Sequence, residues 1–178
     1  AIFTNVTHEH LDYHGTFENY LIAKRQLFDM LPAEAWALAN CDDENGPFML
    51  QNTKAKQYYY ALTQEDGTTA GDIAYEGKVL ANTFYGLDLE INTRPLRSQM
   101  IGSFNAYNLT AIYGAAHLAG VNEEALVPAV ASLTPPAGRF DHIEDHGRVG
   151  IVDYAHTPDA LENVLTTVED IRSKNQRI

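Results

Sequence analysis

Strand-like and helix-like segments alternate along this chain, and that order restricts its fold more than any single motif. Residues 2 to 6 read as the end of a strand. Residues 16 to 31 read as a helix, N-capped by Thr16 and stopped by Pro32. "AWALANCDD", 35 to 43, reads as a short buried strand running into acidic turn residues. Helices are expected at about 105 to 119, ended by Gly120, and at about 123 to 132, capped by Asn122 with Glu123 and Glu124 at its positive end. "RVGIVDY" reads as a buried strand, followed by a helix with Pro158 at its first position and Asp159 in its first turn. Such alternation builds an α/β fold around a parallel sheet. Across 57 to 101, aromatic-rich alternating runs with turn signals at Asp66-Gly67 and Glu76-Gly77 predict an appended antiparallel sheet. The loop "LTPPAGRFDHIEDHG", 133 to 147, is the expected boundary, giving one unit over 1–140 and a linker with the start of a second over 141–178.

Composition excludes several function classes. The chain has 178 residues, 45% hydrophobic and 20% charged, enough to bury a core. Its net charge is -12 and it shows no Lys/Arg cluster, so it lacks the basic footprint of a nucleic-acid binder. A polyanionic ligand would need metal ions or a few specific cations. One cysteine, Cys41, rules out an internal disulfide and suits a reducing cytosol. No apolar run of about 18 residues is present to span a membrane. The chain starts without Met in a strand-to-loop passage and stops after "SKNQRI", which leads us to expect a fragment of a longer protein. A cut domain exposes apolar surface, so self-association is expected as well.

Within "GTFENYLIAKRQLFDMLP", Phe17, Tyr20, Leu21, Leu27, Phe28 and Leu31 follow the spacing of one buried helix face. Lys24 occupies the slot that completes this stripe, whereas Arg25 lies off it. A lysine there either lays its methylenes on the apolar surface and snorkels its ammonium to water, or has a chemical task. Burial favours a lysine's neutral amine, which can take up carbon dioxide and become an anionic oxygen ligand.

Upstream, "THEHLDYHG" places His8, His10, Asp12 and His14 at one parity, so an extended segment would point all four the same way. That nitrogen and oxygen set suits Mg, Mn or Zn, and the plain alternative is a polar loop capping backbone groups. Asn105 and Asn108 sit on one side of a helix start, and an Asn amide pairs donor and acceptor as the adenine edge requires. Asn105 also reads as a plain helix cap. Asp153 ends a strand, where ligands of open α/β sheets bind, and can accept from ribose hydroxyls. Tyr154 and His156 follow in the same turn. Arg139 is the one cation of its loop, placed to contact a phosphate or to tether the boundary through Asp141 or Glu144.

Taken in order, "TNVTHEHLDYHGTFENYLIAKRQLF", "NCDDE", "GSFNAYNLTAIYGAA", "PPAGRFD" and "VDYAHTPDALENVL" resemble the Mur ligases, and the "HLDYHG" and "DYAHTPDALE" wording is most similar to the MurE type. The resemblance covers both ends of the chain and not its middle, 50 to 100. It implies the later part of a central P-loop-type ATPase domain, followed by the first strand and helix of a Rossmann-like domain. It also implies a bacterial cytoplasmic ligase, with ATP and Mg as cofactors. The ligase would add meso-diaminopimelate or L-lysine to UDP-N-acetylmuramoyl-L-alanyl-D-glutamate through an acyl phosphate, in peptidoglycan synthesis. Carried over by position, His10 would be a Mg ligand, and Lys24 the lysine the family carbamylates to hold a metal or place the phosphate. Asn105 and Asn108 would meet adenine, Asp153 the ribose and Arg139 the nucleotide. Tyr154 and His156 would line an interdomain cleft. The family's phosphate loop is not in this sequence, so the chain alone is expected to be inactive.

Three rivals remain. Metal-dependent amidohydrolases also combine HxH with a carbamylated lysine, but they are larger barrels with that lysine far along the chain. A folate-type polyglutamyl ligase is nearer, and "DYAHTPDALE" speaks against it. A non-catalytic nucleotide- or metal-binding module would retain the same half-site.

Overall fold

The computed structural model describes residues 1–63, 73–146 and 148–172. The described elements run β1 (Ile2–Phe3), α1 (Leu11–His14), α2 (Phe17–Asp29), β2 (Trp36–Asn40), α3 (Gly46–Leu50), β3 (Lys56–Leu62), β4 (Tyr75–Thr83), β5 (Gly86–Ile91) and β6 (Arg94–Ser98). They continue with α4 (Ser103–Leu118), α5 (Glu123–Ala131), β7 (Asp141–Asp145), β8 (Arg148–Val152) and α6 (Pro158–Ile171). The first six strands form one sheet in chain order, parallel from β1 to β4 and antiparallel from β4 to β6. The α/β expectation therefore holds, with a mixed sheet in which the antiparallel part continues the parallel one rather than standing apart.

Alternation along the central strands sorts side chains into two layers. Leu38, Tyr60 and Leu62 face α4 and α5, in a core with Leu109, Tyr113 and Leu126. Ala37, Ala39 and Tyr59 face the other way, in a core with Phe28, Met49 and Leu50 of α2 and α3. Burying one such leucine fully is worth about 2 kcal/mol.

The 57–101 stretch differs from expectation in two ways. β3 pairs parallel with both β2 and β4, so only β4 to β6 form the antiparallel array. The Glu76-Gly77 turn is absent, because Gly77 lies inside β4. A Cβ there would stand 2.4 Å from Thr110 Oγ1 and 2.6 Å from Leu62 Cδ2, so the glycine lets α4 approach the sheet. Two-residue turns fall instead at Phe84-Tyr85, between β4 and β5, and at Asn92-Thr93, between β5 and β6, where Asn92 and Thr93 have positive φ (48° and 66°). The Asp66-Gly67 signal lies outside the described residues.

Helix boundaries follow local signals. Thr16 accepts a hydrogen bond from Asn19 N at 3.2 Å, and Asn122 from Glu124 N at 2.8 Å. Thr157 caps α6 by accepting from Ala160 N. Thr16→Ala is expected to cost about 1 kcal/mol, lowering the midpoint of thermal unfolding by roughly 2–4 °C, whereas Thr16→Ser retains the cap. Equal midpoints for the Ala and Ser variants would show that the cap contributes nothing.

Near the C-terminal end two readings are corrected. Residues 141–145, expected to be loop, form β7, and β8 is not buried: its residues alternate between exposed and half-buried. The two strands pair antiparallel as a separate sheet whose large apolar side chains Ile143 and Val152 are 70% and 57% exposed. The sequence of β7 is polar apart from Ile143, so it carries no burial signal to mark it as a strand.

Candidate functional site

A cleft of about 960 Å³ opens at the carboxyl ends of the parallel strands, where open α/β sheets hold ligands. Its floor is Asn40 at the end of β2 with Asp42 and Asp43 of the following loop; one wall is α4, and the other is the Pro135–Arg139 segment with Asp153 and the start of α6. Asn105, Asn108, Arg139 and Asp153, singled out separately in the sequence, all line it.

The two asparagines form a relay. Asn105 is 4% exposed and donates through Nδ2 to Ile101 O at 2.7 Å, so it bonds back to the preceding loop and does not cap the helix. Its Oδ1 accepts from Asn108 Nδ2 at 3.1 Å. This fixes the half-buried Asn108 amide, with its Oδ1 and remaining N–H available to a ligand.

Asp153 has a structural duty. Oδ2 accepts from Phe140 N at 2.8 Å and Oδ1 from Ala155 N at 2.7 Å, joining β8 to the entry of β7. Phe140 is 1% exposed and meets Phe104 of α4 edge-on at 5.6 Å, anchoring this ribbon against the cleft wall. Each carboxylate oxygen keeps a second lone pair for a ligand hydroxyl. Asp153→Asn would turn an NH2 toward one of the two N–H groups. It is expected to cost about 1–3 kcal/mol in thermal unfolding, and an unchanged midpoint would contradict the double-acceptor role.

Arg139 is exposed, with its guanidinium 5.0 Å from the Tyr154 ring centroid. His156 meets that ring edge-on at 4.9 Å, and its Nδ1 lies 2.9 Å from Tyr154 O. Tyr154 and His156 thus stand beside the cleft, behind Arg139, rather than on its lining.

The histidine segment does not stay extended. His10 takes a left-handed conformation (φ 58°) and starts the single turn of α1, so the shared parity of His8, His10, Asp12 and His14 is lost. His8 stacks on Phe17 at 4.0 Å and lines a second cavity of about 450 Å³, which shares Thr7 and Asp159 with the first. His10 and His14 pack around Tyr20, at 5.8 and 4.9 Å between ring centroids.

Lys24 also reaches Tyr20, its Nζ 4.8 Å from the ring centroid, but the residue is exposed, not half-buried. Arg25 has the more enclosed place, over Phe48 at 4.6 Å and paired with Asp29 at 3.3 Å. Tyr20 therefore gathers His10 and Lys24 on one aromatic platform. Among the described residues no three His, Cys, Asp or Glu side chains converge to hold a metal ion.

Sequence reasoning assigned no role to Asn40, Asp42, Tyr60 and Tyr107, which also line the cleft. Asp42 Oδ2 accepts from Tyr107 OH at 3.0 Å. Burial, then the Asp42 charge, raises the Tyr107 phenol above its ordinary range, so it remains a donor. The Tyr60 hydroxyl is buried with no hydrogen-bond partner among the described residues. The available signal was the wording of "NCDDE" and "GSFNAYNLTAIYGAA", which contain Asn40, Asp42 and Tyr107.

Comparison with known proteins adds the following. The family described as the Mur ligase middle domain matches residues 1–116. The chain is 51% identical over 172 residues to the UDP-N-acetylmuramoyl-L-alanyl-D-glutamate--2,6-diaminopimelate ligase of Phocaeicola vulgatus, covering 96% of this chain and 34% of that protein. A solved structure of a ligase of the same name superposes with a TM-score of 0.76 at 34% identity, covering 98% of this chain and 36% of that one. MurF from Acinetobacter baumannii, 17% identical with a TM-score of 0.80 over 97% of this chain and 37% of that one, shares the fold. The chain spans about a third of the length of the curated relatives it matches.

Proposed function

The chain belongs to the Mur ligase family, and on that premise we propose that it supplies the nucleotide-binding face of an ATP-dependent, amide-forming ligase. The substrate would be UDP-N-acetylmuramoyl-L-alanyl-D-glutamate, and the amino acid added meso-diaminopimelate. Relatives named for 2,6-diaminopimelate, at 51% and 48% identity, favour it over L-lysine. A carboxylate is a poor electrophile. Phosphorylation by ATP gives it a leaving group, the amine attacks the acyl phosphate, and phosphate departs. The observation that carries this reading is the convergence of Asn105, Asn108, Arg139 and Asp153 on one cleft.

In this arrangement the Asn108 amide meets the adenine edge, with donor and acceptor held by Asn105. The free lone pairs of Asp153 accept from ribose hydroxyls. Arg139, the one cation among the described residues of a lining that also holds Asp42, Asp43, Asp153 and Asp159, faces the phosphates. Lys24 and His10, grouped at Tyr20 outside the cleft lining, are assigned to the phosphate end by the family resemblance. Magnesium would offset phosphate charge, and by the family resemblance His10 and a carbamylated Lys24 would be its protein ligands. Such a reaction belongs in the bacterial cytoplasm, and no described helix is long and apolar enough to cross a membrane.

The test is ADP release by the full-length protein carrying this chain. Release should require the UDP-dipeptide together with diaminopimelate, and lysine should substitute poorly. ADP release without incorporation of any amino acid would contradict the ligase reading.

A further inference from the structure

Asp42 lies at the carboxyl end of β2, and nothing in the proposed reaction uses it. Asn40 Oδ1 accepts from Asp42 N at 3.1 Å and shapes the turn. One carboxylate oxygen, Asp42 Oδ2, then accepts from Leu62 N at the end of β3 (2.8 Å) and from Tyr107 OH on α4 (3.0 Å). This one oxygen therefore adds a polar tie between the start of α4 and the parallel strands beneath the cleft, beside the packing of Leu109 and Tyr113 on the sheet. Tyr107 stands between Asn105 and Asn108 in sequence, and α4 begins at Gly102 with no side-chain cap of its own. A helix turns about 100° per residue, so a slight rotation of α4 would swing the Asn108 amide away from a ligand.

We propose that Asp42 is a positioning residue that sets the rotation of α4, and through it the nucleotide affinity of Asn105 and Asn108. The proposal rests on the nucleotide reading above. It concerns geometry, not charge. Both bonds go to one oxygen, so an asparagine amide oxygen can accept both and leave its NH2 on the other side.

The experiment is calorimetric titration of the full-length protein with ATP, together with amide hydrogen exchange over residues 103–108. Asp42→Ala is expected to weaken ATP about tenfold, the loss of hydrogen bonds to a charged group, and to speed exchange in the first turns of α4. Asp42→Asn should restore affinity to within about twofold and restore exchange protection. Tyr107→Phe, which keeps the Leu62 bond, should fall between them and guards against misfolding of the alanine variant. Combining Asp42→Ala with Asn108→Ala should lose less than the sum of the single losses, since one acts through the other. Wild-type affinity in Asp42→Ala, an asparagine variant as weak as the alanine one, or strict additivity would each overturn the proposal. If the wild-type protein binds no ATP, the nucleotide reading fails by itself. The exchange pattern of the three variants then decides whether Asp42 fixes α4.

Discussion

Gly46→Ala is expected to destabilise this protein by about 3 kcal/mol, a fall of roughly 6–12 °C in the midpoint of thermal unfolding for a chain of this size. A Cβ at Gly46 would stand 1.9 Å from Asn40 O and 3.0 Å from Asn40 C. Both are backbone atoms, so no side chain can rotate away. Relief requires moving either α3 or the turn after β2. That turn carries Asp42 and Asp43, and Asp43 in turn accepts from Val6 N at 3.2 Å and Asn45 N at 2.8 Å. The damage should therefore reach the cleft floor as well as the core. Gly120→Ala is the reference: unlike Gly46, Gly120 has a positive φ (88°), and nothing among the described residues lies within 4 Å of the added carbon. Its cost is expected near 1 kcal/mol, from backbone strain alone. Equal losses for the two variants would show that the contact with Asn40 is not what requires glycine at 46.

Lys24→Met is expected to lower turnover of the full-length ligase by about a hundredfold or more, the scale of losing one preorganised charge at a reacting centre. Its stability should change by less than about 1 kcal/mol, because an exposed cation over a tyrosine is worth little. This contrast separates the two readings of a lysine on an apolar stripe. A snorkelling lysine would lose a little stability and no activity. A lysine that serves the phosphate end loses activity and almost no stability. Thermal unfolding and kcat measured on the same variant decide between them, and full activity in Lys24→Met would remove Lys24 from the site.

What could be read beforehand follows the range of the interactions concerned. The caps at Thr16 and Asn122 and the Pro158 start of α6 are local, made within two or three residues, and they were legible. The direction of β3 was not. Alternation in "QYYYAL" marks a strand, but its parallel partners are chosen by helices that cover both of its faces. Helical spacing placed Lys24 on the stripe and Arg25 off it, yet Arg25 is the enclosed one, because Phe48 and Asp29 receive its guanidinium. The common parity of the histidines failed at a single residue, His10, whose positive φ carries no unambiguous sequence mark. Asn105, Asn108, Arg139 and Asp153 were found from their motifs and share one cleft. Asp42 and Tyr107 were missed because their bond joins residues 65 apart.

The central claim is that this cleft holds a nucleotide. The most direct measurement is a crystal structure of the full-length protein with a non-hydrolysable ATP analogue. The expected result is a purine edge against the Asn108 amide, ribose hydroxyls on Asp153 and the phosphates leading past Arg139 toward Lys24. An analogue bound elsewhere, with Asn108 and Asp153 facing solvent, would contradict it.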